Sequence, residues 1–199
     1  MAEELFQNYN AGDDGAAYSN NGRRLMQTFT VSEWHRTTKL KLLMYRTGSP
    51  GALTVSLHPL DGSNEPLTSL ASLNIPSPFG GLDLAATWET FFLAALLETG
   101  VKYGISIWAN AAGQPYTGRA YWRADTTSPT YAGGEARRRL GGTWSDLGYD
   151  FMFEEHGDKI ILPTPVYAVA GIAAPSVAIA DVPPSSVGGL NPALAELML

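Results

Sequence analysis

The sequence predicts an all-β fold, an antiparallel β-sandwich of the jelly-roll type, followed by an extended apolar C-terminal arm. Short segments alternate between apolar and polar residues, which is typical of strands with one buried face. The 21 glycines and 13 prolines, with only 16% charged residues, indicate short strands joined by tight turns. Turn signals recur at intervals of roughly 8 to 12 residues, and no helix-strand rhythm suggests a parallel sheet.

The clearest alternation lies between Thr38 and Leu57, and the rest of the predicted fold is organised around it. Its apolar positions are Leu40, Leu42 and Met44 before a break, and Leu53, Val55 and Leu57 after it. The break is Gly-Ser-Pro-Gly at residues 48–51, a strong turn signal. Period-two alternation on both sides of a turn predicts an antiparallel hairpin with one buried face.

Seven further segments are predicted as strands because they alternate or are rich in β-branched and aromatic residues. In chain order they are residues 5–9, 25–31, 88–93, 101–109, 120–124, 136–140 and 150–156. Residues 67–74 are too mixed to assign, and residues 94–98 are interpreted as a helical turn that Gly100 ends. Together the strands predict one sandwich domain over residues 1–157.

Charge and cysteine content exclude several classes of protein. A net charge of -6 and a pI near 5.0 give no electrostatic reason to expect nucleic acid, because phosphate binding needs clustered lysine and arginine. The one basic run, Arg137–Arg139, is interpreted as a solvated strand edge. Cysteine is absent, which excludes disulfides and thiolate metal sites. The N-terminal residues lack a secretory signal pattern, so the chain is expected to fold where it is made.

No arrangement of residues in the sequence predicts catalysis. His35, His58 and His156 lie in unrelated segments without the spacing of metal ligands. Nucleophile-elbow, Walker and HExxH patterns are absent from the sequence. Glu154 and Glu155 are adjacent in a predicted strand, which would point them to opposite faces and separate them as an acid and base pair. We therefore expect a non-enzymatic protein without a cofactor.

Oxygen ligands in two predicted turns leave structural calcium as an alternative. Asp13 and Asp14 lie in one turn, and Asp61, Asn64 and Glu65 lie in another. Hard cations prefer such ligands. Aspartate and asparagine are also ordinary turn formers, and that interpretation is the stronger one, so the sequence predicts no metal site.

Aromatic residues in or beside predicted loops are the best binding candidates. Flat rings at the rim of a β-sandwich could stack on sugar rings. The predicted glycan-binding residues are Trp34, Trp108, Tyr116, Trp122 and Trp144, with Tyr121 among the same loop aromatics. Tryptophan is usually mostly buried, so at least half of these rings are expected to lie in a core or an interface.

Residues 158–199 form the second predicted unit, an arm without alternation. Its prolines would break a helix or a central strand, so the backbone is expected to run extended. Only residues 192–199 are predicted to be helical, with Asn191 as the N-cap. The apolar residues predicted to make assembly contacts are Ile160, Ile161, Val166, Tyr167, Ile172, Val177, Ile179, Leu194 and Leu197.

An arm this apolar is expected to be docked on protein rather than free in water. Extended, its 42 residues could reach roughly 130 Å, whereas the preceding domain has a radius of gyration of about 15 Å. The arm could therefore cross a neighbouring subunit. Docking on its own domain is one alternative. A membrane anchor over residues 160–180 is another, but its prolines and the scarcity of flanking basic residues oppose it.

Five segments resemble a jelly-roll module that recurs in phage and environmental sequences. They are QTFTV (27–31), KLKLLMYRTGSPGALTVSL (39–57), GVKYGISIWA (100–109), YWRADTTSPTYAGG (121–134) and GTWSDLGYDFMFEEHG (142–157). Such modules resemble carbohydrate-binding modules and are often found in virion structural proteins or surface-anchored proteins. The resemblance covers roughly residues 5–157 and implies an architecture, without catalytic residues to transfer.

These observations favour a non-enzymatic structural protein of a phage-like virion, such as a capsid decoration or tail-associated subunit assembled in the host cytoplasm. Its arm would dock on copies of itself or on other virion proteins, with no nucleic-acid or membrane partner. The alternative is a carbohydrate-binding module that recognises surface glycans through loop aromatics. An enzyme is the least favoured class, because the sequence sets up no nucleophile or acid and base pair.

Overall fold

A computed structural model describes residues 3–76, 82–110 and 118–160. The described residues form strands and contain no helix. The strands are β1 (Glu4–Tyr9), β2 (Gly15–Ser19), β3 (Arg23–Thr30), β4 (His35–Thr47), β5 (Ala52–Pro59), β6 (Ala71–Ile75), β7 (Thr87–Leu97), β8 (Lys102–Asn110), β9 (Arg119–Asp125), β10 (Ala136–Leu140), β11 (Thr143–Asp146), β12 (Asp150–Phe151) and β13 (Phe153–Lys159). Tyr116, the arm from Ile161 onward and the predicted terminal helix lie outside the described residues.

Two antiparallel sheets pack as a sandwich, which confirms the predicted fold class. Sheet A has seven strands in the order β1-β13-β4-β9-β12, with β2 beside β9 and β7 beside β4. Sheet B has six strands in the order β11-β10-β3-β8-β5-β6. Strands distant in the sequence lie side by side in both sheets, as expected for a jelly roll. By its internal contacts the chain divides into Met1–Leu162 and Pro163–Leu199.

β4 and β5 confirm the predicted alternation but not the predicted hairpin. Their alternating leucine, valine and methionine side chains are fully buried in one core between the sheets. β4 lies in sheet A beside β7, β9 and β13, whereas β5 lies in sheet B between β8 and β6. Residues 48–51 therefore carry the chain from one sheet to the other. The hairpin prediction is wrong because alternation shows which face of a strand is buried, not which strand lies beside it.

β7 continues through the segment interpreted as a helical turn. Phe91, Leu93 and Leu97 keep the alternation and face the core. The leucine and alanine content of residues 94–98 favours a helix locally. Burial of alternate side chains against the second sheet outweighs that local preference, so the segment is a strand up to Leu97.

The basic run in β10 is internal to sheet B, which corrects its interpretation as a solvated edge. β10 lies between β3 and β11. Arg137 is buried, and its Nε donates to Asp146 Oδ1 at 2.8 Å. Its Nη1 donates to the carbonyl oxygens of Ser63 and Asn64. The short strand β11 covers the edge that β10 would otherwise expose.

A loop over residues 60–70 folds onto the outer face of sheet B. Asp61 Oδ1 accepts hydrogen bonds from the backbone N–H groups of Ser63 and Glu65, each at 2.8 Å. Asn64 has a left-handed φ of 57°, and its Nδ2 donates to Glu135 Oε1 at 3.0 Å. These contacts confirm the turn predicted here and fix the 60–70 loop beside β10.

Candidate functional site

Four side chains form a row across the outer face of sheet B, which we call the Trp-Arg row: Trp108, Arg24, Arg139 and Trp144. The strand register places Arg139 of β10 opposite both Arg24 of β3 and Trp144 of β11. The guanidinium carbon of Arg24 lies 4.3 Å from the centre of the Trp108 ring on β8. Leu25 faces the core, and alternate strand residues point to opposite faces, so Arg24 and its row project outward.

Three members of the Trp-Arg row, Arg24, Arg139 and Trp144, border a cleft of about 280 Å³. The 60–70 loop and the turn between β10 and β11 contribute to its walls. Its lining residues are Arg24, Glu65, Pro66, Arg139, Gly142 and Trp144. Trp144 is only 9% exposed and stands outside the core cluster, so its ring is packed within this outer layer. The cleft therefore combines two guanidinium groups, an indole and one carboxylate.

Local contacts hold both guanidinium groups in place. The Trp108 ring supports Arg24 by a cation–π contact, and Trp108 Nε1 donates to the Asn21 carbonyl at 3.4 Å. Arg139 Nε donates to the Gly142 carbonyl at 3.2 Å. Gly142 and the glycine before it have positive φ angles of 96° and 61°, as the tight two-residue turn between β10 and β11 requires. That turn directs its carbonyl toward Arg139.

The row places two like charges opposite each other without a neutralising partner. Within the described ranges, neither Arg24 nor Arg139 forms an ion pair with a carboxylate. Burial, followed by the charge of Arg139, lowers the pKa of Arg24. Arg137 on the same strand differs, because Asp146 neutralises it at 2.8 Å. An anion bound in the cleft would relieve the repulsion within the row.

The structure separates the aromatic residues that the sequence singled out. Trp108 and Trp144 come together in the Trp-Arg row. Trp34 lines a different cleft of about 400 Å³ beside the turn that follows β7. Its Nε1 is buried without a hydrogen-bond acceptor among the described residues. Among the predicted aromatic residues that the structure describes, Trp108 and Trp144 are therefore the two that share a site.

Trp122 is a core residue, which corrects its interpretation as a loop aromatic. Its side chain in β9 is completely buried, and its ring stacks on Phe151 with centroids 4.5 Å apart. Its Nε1 donates to the Met152 carbonyl at 2.8 Å. A ring in this position has no surface on which a sugar could stack.

Sequence reasoning missed the two arginines of the site. Arg24 directly precedes the predicted strand at 25–31, and Arg139 was grouped with a strand edge. The pairing of β3 with β10 brings them together, although they are far apart in the chain. The only local signal is the alternation within β10, which puts Arg137 and Arg139 on one face.

A second charged cluster lies inside sheet A and is fully paired. Glu155 is completely buried, and His35 Nε2 donates to its Oε1 at 2.9 Å while Thr37 Oγ1 donates to the same oxygen. His35 Nδ1 lies 2.7 Å from the carbonyl oxygen of Glu33 and so donates to it. Phe6 stacks on the His35 ring with centroids 3.7 Å apart. The two ionisable side chains satisfy each other within the core.

These contacts and the burial of the pair favour the protonated forms of both side chains, because the pKa values of His35 and Glu155 are both raised. Burial opposes the charged form of His35, but the hydrogen bond and charge of Glu155 outweigh burial and raise the pKa of His35. Burial also raises the pKa of Glu155, against the hydrogen bond from His35. Glu154 points to the outer face and accepts a hydrogen bond from Lys41 at 2.8 Å. The two glutamates thus occupy opposite faces, as the strand pattern predicts.

The acidic residues considered as calcium ligands take part in turns and ion pairs. Asp14 Oδ1 accepts a hydrogen bond from the backbone N–H of Thr126 at 2.6 Å. Asp13 pairs with Arg123 at 2.6 Å, and Asp61 caps its own turn. Over the part of the chain that the structure describes, no group of three or more histidine or acidic side chains is placed to hold a metal ion.

β7 exposes a strip of apolar residues, which we call the β7 strip: Phe92, Ala94 and Leu96. Phe92 is 74% exposed and Leu96 is 56% exposed, and Ala94 lies between them on the same face. Among the described strands β7 pairs with β4 alone, so its other edge has no strand partner there. Large exposed apolar side chains beside an open strand edge are typical of an interaction surface.

Comparison with solved structures finds a weak likeness to a viral protein. A chain of infectious bursal disease virus, Gt strain, matches 80% of this chain with 10% sequence identity and a TM-score of 0.33. The match covers 36% of that viral chain. No protein-family model and no curated protein matches the sequence. In the described part of the chain, no helix is long and apolar enough to cross a membrane.

Proposed function

We propose that this chain is a non-enzymatic structural subunit of a phage-like virion, a capsid decoration or tail-associated protein assembled in the host cytoplasm. Its C-terminal arm docks on neighbouring subunits. The observation that carries the proposal is the β7 strip, whose phenylalanine and leucine are mostly exposed. The arm, rich in isoleucine, valine, leucine and alanine, has the chemistry to cover such a surface.

The chain leaves the sandwich close to the end of β7. Lys159 of β13 lies opposite His35 of β4, which in turn lies opposite Leu97 of β7. Neighbouring strands are about 4.8 Å apart, so the arm begins about 10 Å from the end of β7. An arm that reaches roughly 130 Å when extended can extend from there to the β7 strip of another copy.

Part of the arm also suits the open edge of β7. Residues 166–174 (VYAVAGIAA) contain no proline and include valine, tyrosine and isoleucine, which favour strands. An extended segment can add to an exposed sheet edge through backbone hydrogen bonds, while its side chains supply specificity. This mode of docking would cover the β7 edge and the β7 strip together.

Light scattering on the full chain and its variants tests the docking proposal. We expect the full chain to assemble, and Phe92→Ser combined with Leu96→Ser to shift it toward monomer. Burial of one such side chain contributes about 1.5 to 3 kcal/mol, so the double change should weaken association by more than about 100-fold. Leu140→Ser is the matched control, because Leu140 is 51% exposed but lies at the end of β10 in sheet B.

A chain that ends at Ile160 isolates the contribution of the arm. It retains β13, which ends at Lys159, and we expect circular dichroism to show a folded β protein and light scattering to show a monomer. A monomeric full chain whose arm resists protease would contradict the proposal, because the arm would then be protected by its own domain.

A glycan-binding module is the second candidate, favoured by the cleft of the Trp-Arg row. An indole beside polar groups in a concave site can recognise a sugar ring and its substituents. An oligosaccharide screen with the full chain is expected to show saturable binding that Trp144→Ala weakens and Trp34→Ala leaves unchanged, because Trp144 lines this cleft and Trp34 does not. A negative screen would contradict this candidate. The cleft and the β7 strip lie on different sheets, so one subunit can carry both functions.

A further inference from the structure

We infer that the Trp-Arg row selects acidic glycans, meaning sugars that carry a carboxylate, such as sialic or uronic acids. The inference rests on the glycan-binding candidate and names its substrate class. It is carried by one juxtaposition: Arg24 and Arg139 face each other across two paired strands, beside an indole and within a cleft. The charge of this pair is met by no ion pair from the described residues.

Both arginines retain donors that a ligand can use. A guanidinium group has five N–H donors. Arg139 donates one of them to the carbonyl of Gly142. The Arg24 side chain lies over the face of Trp108 and forms no hydrogen bond to any described residue. The planar guanidinium fork matches the two oxygens of a carboxylate. Because their strands are about 4.8 Å apart, two forks can reach one carboxylate together.

The rest of the cleft suits the body of a sugar. Trp144 and Pro66 supply apolar surface for the C–H face of a ring, and Glu65 can accept hydrogen bonds from hydroxyl groups. A volume of about 280 Å³ lies near the lower end of small-molecule sites, which fits one acidic sugar residue at the end of a glycan.

Charge explains why an acid is preferred to a neutral sugar. Two cations placed opposite each other repel. A carboxylate bound between them is attracted to both, and these two attractions offset the repulsion. A neutral hydroxyl can accept hydrogen bonds there but leaves the repulsion in place. Acidic substituents should therefore dominate selectivity at this site.

Nucleic acid is the less favoured anion. The net charge of -6 opposes the approach of a polyphosphate chain. Arg137, the next arginine on that face of β10, is already paired with Asp146. Glu65 adds a negative charge at the cleft itself. The site offers charge for one carboxylate rather than for a line of phosphates.

Two matched pairs of sugars test the inference by calorimetric titration of the full chain. Sialyllactose is compared with lactose, and trigalacturonic acid with its methyl ester, which keeps the rings and removes the charge. We expect at least one acid to bind about tenfold or more tightly than its neutral partner, because charge-assisted hydrogen bonds are the strong ones. Arg24→Gln and Arg139→Gln should each reduce that preference several-fold, and added salt should reduce it in the wild type.

Arg36→Gln is the matched control, because it removes the same charge from an exposed position of β4 in sheet A. It should leave the preference for the acid unchanged. Equal affinity for acid and neutral sugars would overturn the inference and leave glycan binding intact. Failure of all four sugars to bind would overturn the inference, and a negative wider screen would remove glycan binding as well. Tighter binding of an oligothymidylate than of either acid would assign the site to nucleic acid instead.

Discussion

The interior of sheet A and the outer face of sheet B both contain charged side chains, but they arrange them in opposite ways. Inside, Glu155 accepts hydrogen bonds from His35 and Thr37. Outside, Arg24 and Arg139 lie opposite each other, and no carboxylate of the described residues forms an ion pair with either one. The interior cluster is neutralised within the chain, whereas the surface cluster has no ion-pair partner among the described residues.

This difference separates charges that serve the fold from charges available for binding. An unpaired charge in the core costs several kcal/mol, so a stable interior must pair it. Like charges opposite each other on a sheet surface cost only about 0.2 to 1 kcal/mol, which a fold can tolerate. The repulsion between Arg24 and Arg139 beside the cleft is unfavourable for the fold, and a bound anion would reduce it.

The largest expected contrast is between two tryptophans. Trp122→Ala should reduce the free energy of unfolding by about 4 kcal/mol, because it removes a fully buried ring and leaves a cavity. Trp108→Ala should reduce it by less than about 1 kcal/mol, since that ring is partly exposed on the outer face. Urea denaturation of both variants measures the difference. Equal losses would show that the two rings play the same structural role.

The next effect concerns the buried pair. Glu155→Gln should destabilise the fold by about 3 kcal/mol, because it leaves the imidazolium of His35 in the core without a counter-charge. The double variant Glu155→Gln with His35→Gln should lose less, since neither charge then remains. Denaturation of both variants tests this order. A double variant less stable than the single one would contradict the account.

Stability should also fall as the pH rises above about 6.5, the ordinary pKa of histidine. The pKa of His35 is raised in the folded state, so its contribution is fully present below 6.5 and is lost as the pH passes the folded value. The raised pKa of Glu155 acts in the same direction. Burial lowers the pKa of His58, which has the opposite effect. The contribution of the pair is therefore the difference in unfolding free energy between the wild type and the double variant at each pH.

The smallest expected effect lies in the Trp-Arg row. Arg139→Gln should raise the stability of the ligand-free protein by about 0.5 kcal/mol, because it removes the repulsion with Arg24. Thermal unfolding at low salt measures the gain, which added salt should diminish. A loss of stability would indicate that the hydrogen bond from Arg139 to Gly142 outweighs the repulsion.

Strands and buried faces could be predicted from the sequence because a strand repeats every two residues. The alternation in β4 and β5 identified their core residues correctly. The partners of those strands could not be predicted, since two strands that face each other across a sandwich show the same alternation as two strands in a hairpin.

The candidate site was predicted in part. Trp108 and Trp144 were among the loop aromatic residues predicted to bind glycan, but nothing local distinguished them from Trp122, whose ring lies in the core. Arg24 and Arg139 were missed because only the pairing of β3 with β10 brings them together. Sequence proximity places Arg139 opposite Trp144 across the turn between β10 and β11, but it does not indicate that Arg24 lies beside them.

The passage of residues 48–51 between the sheets has a consequence for biosynthesis. β4 forms no pair with the strand made directly after it, and its pairing with β13 joins distant residues, such as Lys41 and Glu154, which are 113 positions apart. At about 5 to 20 residues per second, translation takes roughly 6 to 23 s to deliver that partner. During this interval β4 presents an unpaired edge and an apolar face to other nascent chains. Cooler growth and slower expression should therefore raise the yield of correctly folded protein more than a change of buffer after lysis.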